Sequence, residues 1–211
     1  MKVAIIGANG KVGRRIVERM RQAADFDPIA LVRSADQCEA FARDGIEARL
    51  IDLEGGFAAG LVGADAVVFT AGSGAHTGKD KTLLVDLWGA ARVIRHCREH
   101  GPRRFIMISA IRAGDPDEAE GGIKPYLVAK WAADEYLQHS GLEWTILRPG
   151  RLLDTPGTGR VAAATRLSRR HGEIPRDDVA AAVLAALRQP STRGRIFELL
   201  SGEEPVETAL R

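Results

Sequence analysis

The chain has 211 residues, of which 45% are hydrophobic and 27% charged, and a formal net charge of +2 at pH 7. These values are ordinary for a soluble globular protein, and we expect one domain spanning residues 1–211. The near-neutral charge gives no electrostatic case for a nucleic acid or a membrane surface, so the expected partner is a small-molecule substrate. Cys38 and Cys97 fit neither a disulfide framework nor a metal site. Because no signal peptide precedes the first strand and no apolar run approaches the ~18 residues of a membrane span, we expect a cytoplasmic protein.

The first thirteen residues combine a strand, a glycine-rich turn and the start of a helix. Residues 3–6 are apolar and predict a buried parallel strand, and the run after the turn is amphipathic. The turn itself reads Gly7-Ala-Asn-Gly-Lys-Val-Gly13, with glycines spaced G-x-x-G-x-x-G rather than the commoner G-x-G-x-x-G. Gly7 permits a tight turn, Gly10 lets the backbone approach a pyrophosphate, and Gly13 lets the helix pack on the strand. Because a helix N-terminus attracts anions, this turn predicts a dinucleotide-phosphate site.

Short apolar runs alternate with helical patterns along the rest of the chain. Strands are predicted at residues 28–32, 46–51, 65–70, 104–109, 143–148 and, as the last strand, 195–200. Helices are predicted at residues 35–43, 80–99, 126–139 and 176–188, with a short helical stretch near 57–61. Near-continuous apolar strands alternating with helices are typical of an α/β fold with a doubly wound parallel sheet. The pattern loosens after residue 150, and we expect a short cap on the substrate side at about 150–175.

The end of the second strand indicates which dinucleotide is bound. NAD-selective sites place an acidic residue there, about 20 residues past the glycines, to bind the ribose 2′-hydroxyl. This chain places Arg33 there, with no acid until Asp36. A guanidinium suits a 2′-phosphate because it is planar and permanently charged, and Lys11 in the glycine turn supplies a second positive charge. The sequence therefore favours NADP(H) over NAD(H), and the alternative is an exposed arginine without a ligand.

Candidate catalytic residues follow the later strands, at the sheet edge where open α/β sheets bind ligands. The fourth strand runs into a turn of small residues, in which Ala71 and Gly72 let the backbone lie against a nicotinamide ribose. The fifth strand ends at Ser109, and Tyr126 and Lys130 share one face of the next helix. An ammonium beside a phenol favours the phenolate. Tyr126 is therefore predicted to exchange a proton with a substrate oxygen that Ser109 hydrogen-bonds, while Lys130 also holds the ribose. A surface tyrosine and lysine are the alternative.

Together these motifs resemble the short-chain dehydrogenase/reductase superfamily, above all its atypical branch of small NAD(P)H-binding proteins similar to NmrA-like and sugar-nucleotide-epimerase-like members. The resemblance covers nearly the whole chain and rests on the glycine turn, Asp52-Leu53, Ser109, Tyr126-Leu-Val-Ala-Lys130 and Leu147-Arg-Pro-Gly150. It implies a seven-stranded Rossmann sheet and a Ser-Tyr-Lys catalytic set. It also implies an adenine contact from Asp52 and Leu53, and cofactor contacts from the glycine turn that include Asn9 and Val12.

Two departures from the family pattern bear on function. Asp86 stands where the family has an asparagine in its lysine–water proton relay, and only about sixty residues follow Pro149. The short C-terminal section disfavours a sugar-nucleotide epimerase or dehydratase. We therefore expect an NADP(H)-dependent oxidoreductase acting on a small carbonyl or quinone-like substrate, with His76, Lys79 and Arg112 as candidate substrate contacts. The alternative is a non-catalytic NADP(H)-binding redox sensor.

Overall fold

A computed structural model describes residues 1–74, 77–119, 121–169 and 171–211. The first half alternates strands and helices: β1 (Lys2–Ile6), α1 (Lys11–Gln22), β2 (Asp27–Val32), α2 (Ala35–Arg43), β3 (Glu47–Leu50), a 3₁₀ turn (Ala58–Leu61) and β4 (Ala66–Phe69). One long helix follows. It begins as α3 (Lys79–Lys81), passes through a π-helical segment (Thr82–Gly89) and continues as α4 (Ala90–His100).

The second half contains β5 (Arg104–Ile108), α5 (Lys124–Gln138), β6 (Glu143–Pro149), β7 (Arg151–Leu153), β8 (Arg160–Ala164), β9 (Glu173–Pro175), α6 (Arg176–Arg188), β10 (Arg195–Ser201), β11 (Glu204–Pro205) and α7 (Val206–Ala209). Three short 3₁₀ turns (Ile111–Gly114, Pro116–Glu118 and Gly121–Ile123) connect β5 to α5, and a fourth (Pro190–Thr192) precedes β10. Within the described ranges, no helix combines the length and apolar composition that crossing a bilayer requires.

In the described parts of the chain, the main sheet has nine strands in the order β11-β8-β10-β6-β5-β4-β1-β2-β3. The seven strands from β10 to β3 are all parallel and confirm the doubly wound Rossmann fold. Helices α1 and α6 cover one face, where Ile16 and Val183 are fully buried; α4 and α5 cover the other, with Ile94 and Leu137. The strand order reverses between β1 and β4, and such a switch point opens a crevice at the carboxyl ends of the strands.

The expectation that the strand at residues 195–200 is the last one is wrong. It is followed by β11 and α7, and β11 pairs antiparallel with β8. Strand β8 lies within the segment expected to form the cap, yet it joins the main sheet antiparallel to β10. The remainder of that segment includes β7, which forms a separate two-stranded parallel sheet with β9. Strands β7, β9 and β11 have only two or three residues, too few for their periodicity to be read from the sequence. Strands β8 and β11 form because their longer neighbours, β10 and β8, supply hydrogen-bond partners.

Candidate cofactor and active site

A cleft of about 550 Å³ lies at the carboxyl ends of β1, β2, β3 and β4, around the switch point. Its volume falls within the range of about 300–1,000 Å³ found for small-molecule sites. Eight of the predicted cofactor residues line it, namely Gly7, Asn9, Gly10, Arg33, Asp52, Leu53, Ala71 and Gly72. In the described parts of the chain, the lining does not include the other predicted site residues, namely Lys11, Val12, Gly13, Ser109, Tyr126 and Lys130.

The three glycines of the turn are required for different reasons. Gly7 has a φ of +85°, and a Cβ on it would lie 2.7 Å from the backbone nitrogen of Ala71, so the turn packs directly against the loop after β4. A Cβ on Gly13 would overlap the carbonyl oxygen of Gly7, which forces close packing of α1 on β1. Gly10 has an ordinary φ of −68°. Among the described residues, the carbonyl oxygen of Gly7, at 3.2 Å, is the sole atom within 4 Å of its virtual Cβ. The fold thus demands little of Gly10, and the open space beside it belongs to the cleft.

Two other residues of the turn have side chains away from the cleft lining, and their contact with a cofactor stays a prediction. The Val12 side chain is buried in the core under α1. The Lys11 ammonium contacts the carboxylate of Asp154 at 2.7 Å, just beyond β7. Asp154 also meets Arg15 at 3.5 Å and Arg176 at 2.9 Å. In this structure Lys11 is therefore paired with the segment after β7 rather than placed beside Arg33 in the cleft.

Arg33 is an exposed residue at the mouth of the cleft. Its backbone N–H donates to Oε1 of Gln37 at 3.3 Å, and both residues line the cleft. On the neighbouring turn, Arg14 donates to Oδ1 of Asn9, and its guanidinium lies 5.3 Å from the ring centre of Phe41. Arg14 therefore orients Asn9, a contact that the sequence pattern did not predict.

The loop after β3 lines one side of the cleft and is anchored to the helix that follows β4. Arg92 on α4 donates to the carbonyl oxygens of Leu53 at 2.6 Å and Gly55 at 2.7 Å. Oδ1 of Asp52 accepts the N–H of Glu54 at 2.8 Å. The Glu54 carboxylate pairs with the Lys81 ammonium at 2.7 Å, and both side chains line the cleft. This ion pair joins the loop after β3 to the helix that follows β4.

The predicted catalytic residues surround a buried carboxylate. Tyr126, Lys130 and Asp134 follow one another at intervals of four on α5 and so share a face of that helix. The Ser109 hydroxyl donates to Oδ2 of Asp134 at 2.8 Å, and Nε of Arg148 donates to the same oxygen at 2.9 Å. Ser109, Lys130, Asp134 and Arg148 are all buried. Sequence reasoning missed Asp134, although its spacing of four from Lys130 was a usable signal.

Asp86 connects this group to the cofactor cleft. It lies in the π-helical segment and is buried, and its Oδ2 accepts the N–H of Ser73 at 2.9 Å. A Cβ on Gly72 would lie 3.0 Å from its Oδ1, so the carboxylate packs against the loop that lines the cleft. On its other side, the negative charge of Asp86 acts on both Tyr126 and Lys130.

The pKa of Tyr126 is shifted opposite to the sequence expectation. Burial raises the pKa of this half-buried phenol above its usual value, and the negative charges of Asp86 and Asp134 raise it further. Burial lowers the pKa of Lys130, while the same two carboxylates act in the opposite direction. The sequence prediction considered the ammonium alone, whereas burial and two nearby carboxylates raise the pKa here. The Tyr126 phenol therefore keeps its proton at neutral pH, as a proton donor requires.

Two of the three candidate substrate contacts can be located. Lys79 is exposed at the start of α3, and Arg112 is half-buried in the 3₁₀ turn after β5. His76 lies outside the described residues. Contact of these side chains with a substrate stays a prediction.

Related proteins share both the sequence and the fold. A family model described as NAD(P)H-binding matches residues 7–190, a range that starts at the glycine turn. The chain is 47% identical over 214 residues to a Bacillus subtilis protein described as uncharacterized sugar epimerase YhfK, with 100% of this chain and 99% of the relative covered.

Solved structures agree with this assignment. A Bacillus halodurans protein described as a candidate NAD-dependent epimerase/dehydratase superposes with a TM-score of 0.95 at 39% identity, covering 100% of this chain and 98% of that one. The anaerobilin reductase ChuY of Escherichia coli O157:H7 superposes with a TM-score of 0.82 at 26% identity, covering 96% and 98%. The resemblance to the small NAD(P)H-binding, epimerase-like Rossmann proteins is confirmed, and by sequence and fold the chain belongs to the NAD(P)H-binding family.

Proposed function

We propose that this protein is an NADP(H)-dependent oxidoreductase that transfers hydride to or from a small carbonyl or quinone-like substrate, with Tyr126 as the proton donor in reduction. The observation that carries the proposal is the position of the buried Asp86, on a helical segment that packs against α5 and beside the loop that lines the cleft. Its carboxylate binds the loop that lines the cofactor cleft and acts electrostatically on Tyr126 and Lys130. A nicotinamide lying against Gly72 therefore lies close to the proton-transfer group. The reductase relative supports the reaction class.

The residues of the cleft fit a phosphorylated dinucleotide. The missing Cβ of Gly10 leaves room for a pyrophosphate at the N-terminus of α1, where backbone N–H groups attract anions. Arg33 at the mouth of the cleft suits a 2′-phosphate. Asp52 and Leu53 line the side where the adenine is expected, and Ala71 and Gly72 line the nicotinamide side.

When bound, the cofactor supplies the hydride, and the protein supplies orientation and a proton. The Tyr126 phenol donates its proton to the substrate oxygen, so hydride and proton together convert a carbonyl to an alcohol or a quinone to a hydroquinone. The Lys130 ammonium would hold the nicotinamide ribose. Because burial lowers the pKa of Lys130, its ammonium releases a proton more readily and can return one to the phenolate.

The test incubates the protein with NADPH, and separately with NADH, and a panel of carbonyl and quinone compounds. Oxidation of the cofactor is measured as a loss of its absorbance. We expect turnover of at least one member with NADPH preferred. An absence of turnover across the panel by a protein that binds NADPH would contradict the proposed reaction.

A cofactor-sensing role is the second candidate, and a different contact favours it. The ion pair between Lys11 and Asp154 ties the glycine turn to the segment after β7. A phosphate that draws Lys11 away from Asp154 would loosen that segment, which Arg15 and Arg176 still hold through the same carboxylate. A sensor binds NADPH without oxidising it and changes its amide hydrogen exchange over residues 151–164 on binding. An enzyme turns over substrate whether or not this segment responds.

A further inference from the structure

Asp134 is a buried carboxylate to which the proposed reaction gives no role. Its side chain is fully buried, and one oxygen, Oδ2, accepts hydrogen bonds from Ser109 and Arg148. Its other oxygen, Oδ1, is buried without a hydrogen-bond partner among the described residues. Burying a carboxylate with half of its hydrogen-bonding capacity unused is costly, and such groups gather at functional sites. The elements around it are the ones that carry the proposed catalytic residues.

The direction of the hydrogen bonds follows from the donors. Nε of Arg148 can only donate, so Oδ2 of Asp134 accepts its hydrogen bond at 2.9 Å. Burial raises the pKa of the Asp134 carboxyl, whereas the Arg148 guanidinium and the Ser109 hydrogen bond act in the opposite direction. The Ser109 hydroxyl, 2.8 Å from the same oxygen, must then donate as well. A serine hydroxyl has one proton and two lone pairs. With that proton committed to Asp134, Ser109 has only lone pairs left to offer to other groups.

We propose that Asp134 is a positioning residue that holds Ser109 as a hydrogen-bond acceptor, with Arg148 fastening the carboxylate in place. This inference rests on the proposed function. The sequence pattern predicts that Ser109 hydrogen-bonds a substrate oxygen. With its proton committed to Asp134, Ser109 cannot be the donor in that hydrogen bond. It accepts a hydrogen bond from the reacting oxygen once that oxygen carries the proton from Tyr126, and it therefore favours the hydroxyl form of the substrate.

The test is a kinetic double-mutant cycle. Asp134→Asn keeps the side-chain shape but removes the charge and so weakens the acceptor that holds the Ser109 hydroxyl. We expect kcat for a carbonyl or quinone substrate to fall by about 10- to 100-fold, by analogy with side chains that orient the ligands of metal sites. The dissociation constant for NADPH should not change, because Asp134 does not line the described cleft. In a Ser109→Ala background, Asp134→Asn should lower kcat no further, since its effect passes through Ser109.

A matched control separates positioning from folding. Asp178 on α6 is also fully buried, and it accepts the N–H groups of Thr158 at 3.0 Å and Gly159 at 2.8 Å. Asp178→Asn should lower thermal stability and leave kcat unchanged. If Asp134→Asn does not fold, Arg148→Gln tests the same coupling, because it too should act through Ser109.

The outcomes distinguish failure of the positioning role from failure of the proposed oxidoreductase function. The positioning role is overturned if the two substitutions lower kcat independently, so that their fold-losses multiply in the double variant. It is also overturned if kcat is unchanged in folded Asp134→Asn, and either result leaves the proposed function standing. A wild-type protein that binds NADPH but reduces no member of the panel overturns both. A loss of NADPH affinity equal to the loss of kcat in Asp134→Asn assigns the residue to the scaffold and overturns the proposal.

Discussion

Gly10 and Gly13 are three residues apart in the same turn, and we expect substitutions at the two positions to fail in opposite ways. Position 10 has backbone angles that any residue can adopt. In Gly10→Val, the added Cβ would have one close neighbour, the Gly7 carbonyl oxygen at 3.2 Å. Replacing glycine by valine at this helix N-cap should cost about 1 kcal/mol of folding free energy. The valine methyl groups would occupy the space proposed for the pyrophosphate. Losing two charge-assisted hydrogen bonds, worth about 1.5–3 kcal/mol each, should weaken NADPH binding by roughly 10²- to 10⁴-fold.

Gly13→Ala should do the reverse. Its Cβ would overlap the Gly7 carbonyl oxygen and lie 2.8 Å from Cα of Ala8, and both atoms belong to backbone that moves only if α1 shifts. Overpacking of this kind costs about 1–3 kcal/mol and should lower Tm by about 2–4 °C for each kcal/mol. Calorimetric titration with NADPH and thermal unfolding followed by circular dichroism measure the two effects. A folded Gly10→Val variant that binds NADPH like the wild type, or a Gly13→Ala variant of unchanged stability, would refute the reasoning.

Three further predictions follow from single side chains. Arg33→Ala should weaken NADPH binding by about 1.5–3 kcal/mol and leave NADH binding unchanged in parallel titrations, whereas the exposed Arg43→Ala should affect neither; equal wild-type affinities for the two cofactors would contradict it. Tyr126→Phe should lower kcat by about 10²- to 10⁴-fold with NADPH affinity retained, and Tyr136→Phe, an exposed position on the same helix, is its control; full activity in Tyr126→Phe would remove the phenol from the mechanism. Burial raises the pKa of Cys97 from 9.0 to about 12. Above pH 9 the thiol ionises in the unfolded chain but not in the folded protein, so the free energy of unfolding should fall by about 1.4 kcal/mol per pH unit until about pH 12. Denaturant unfolding at successive pH values should show a shallower alkaline decline in Cys97→Ala, and an identical slope would count against the buried neutral thiol.

The parts of the fold that were predictable are those in which one local pattern determines the structure. The buried runs of β4 and β5 read as strands because every residue in them is apolar or inward-facing, and α2 and α6 begin and end at the predicted residues. Strand β8 escaped notice because its sequence, Arg-Val-Ala-Ala-Ala, is as compatible with a helix as with a strand. It becomes a strand because β10 offers it a free edge.

The candidate site also has a part that local sequence predicts and a part that depends on tertiary packing. The glycine turn and Arg33 were predictable because strand, turn and helix are consecutive in the chain. The partner of Ser109 was not, since Asp134 reaches it only through the packing of α5 on β5 and β6, which brings residues 25 positions apart to 2.8 Å. The raised pKa of Tyr126 has the same origin, because one of the carboxylates responsible lies on a different helix. Chain-local motifs predict residues that line the cleft, whereas tertiary packing sets the surroundings of Tyr126.

The short strand β11, which follows β10, makes one border of the sheet a poor template for self-association. An outer strand with free N–H and C=O groups is a template on which a second chain can add a strand, and proteins suppress this with short, charged or proline-bearing edges. One edge here ends in the two-residue β11, whose second residue, Pro205, lacks an N–H to donate. The opposite edge is β3, where Arg49 pairs with Glu47 at 2.6 Å. Both borders of the nine-stranded sheet are therefore poor starting points for aggregation.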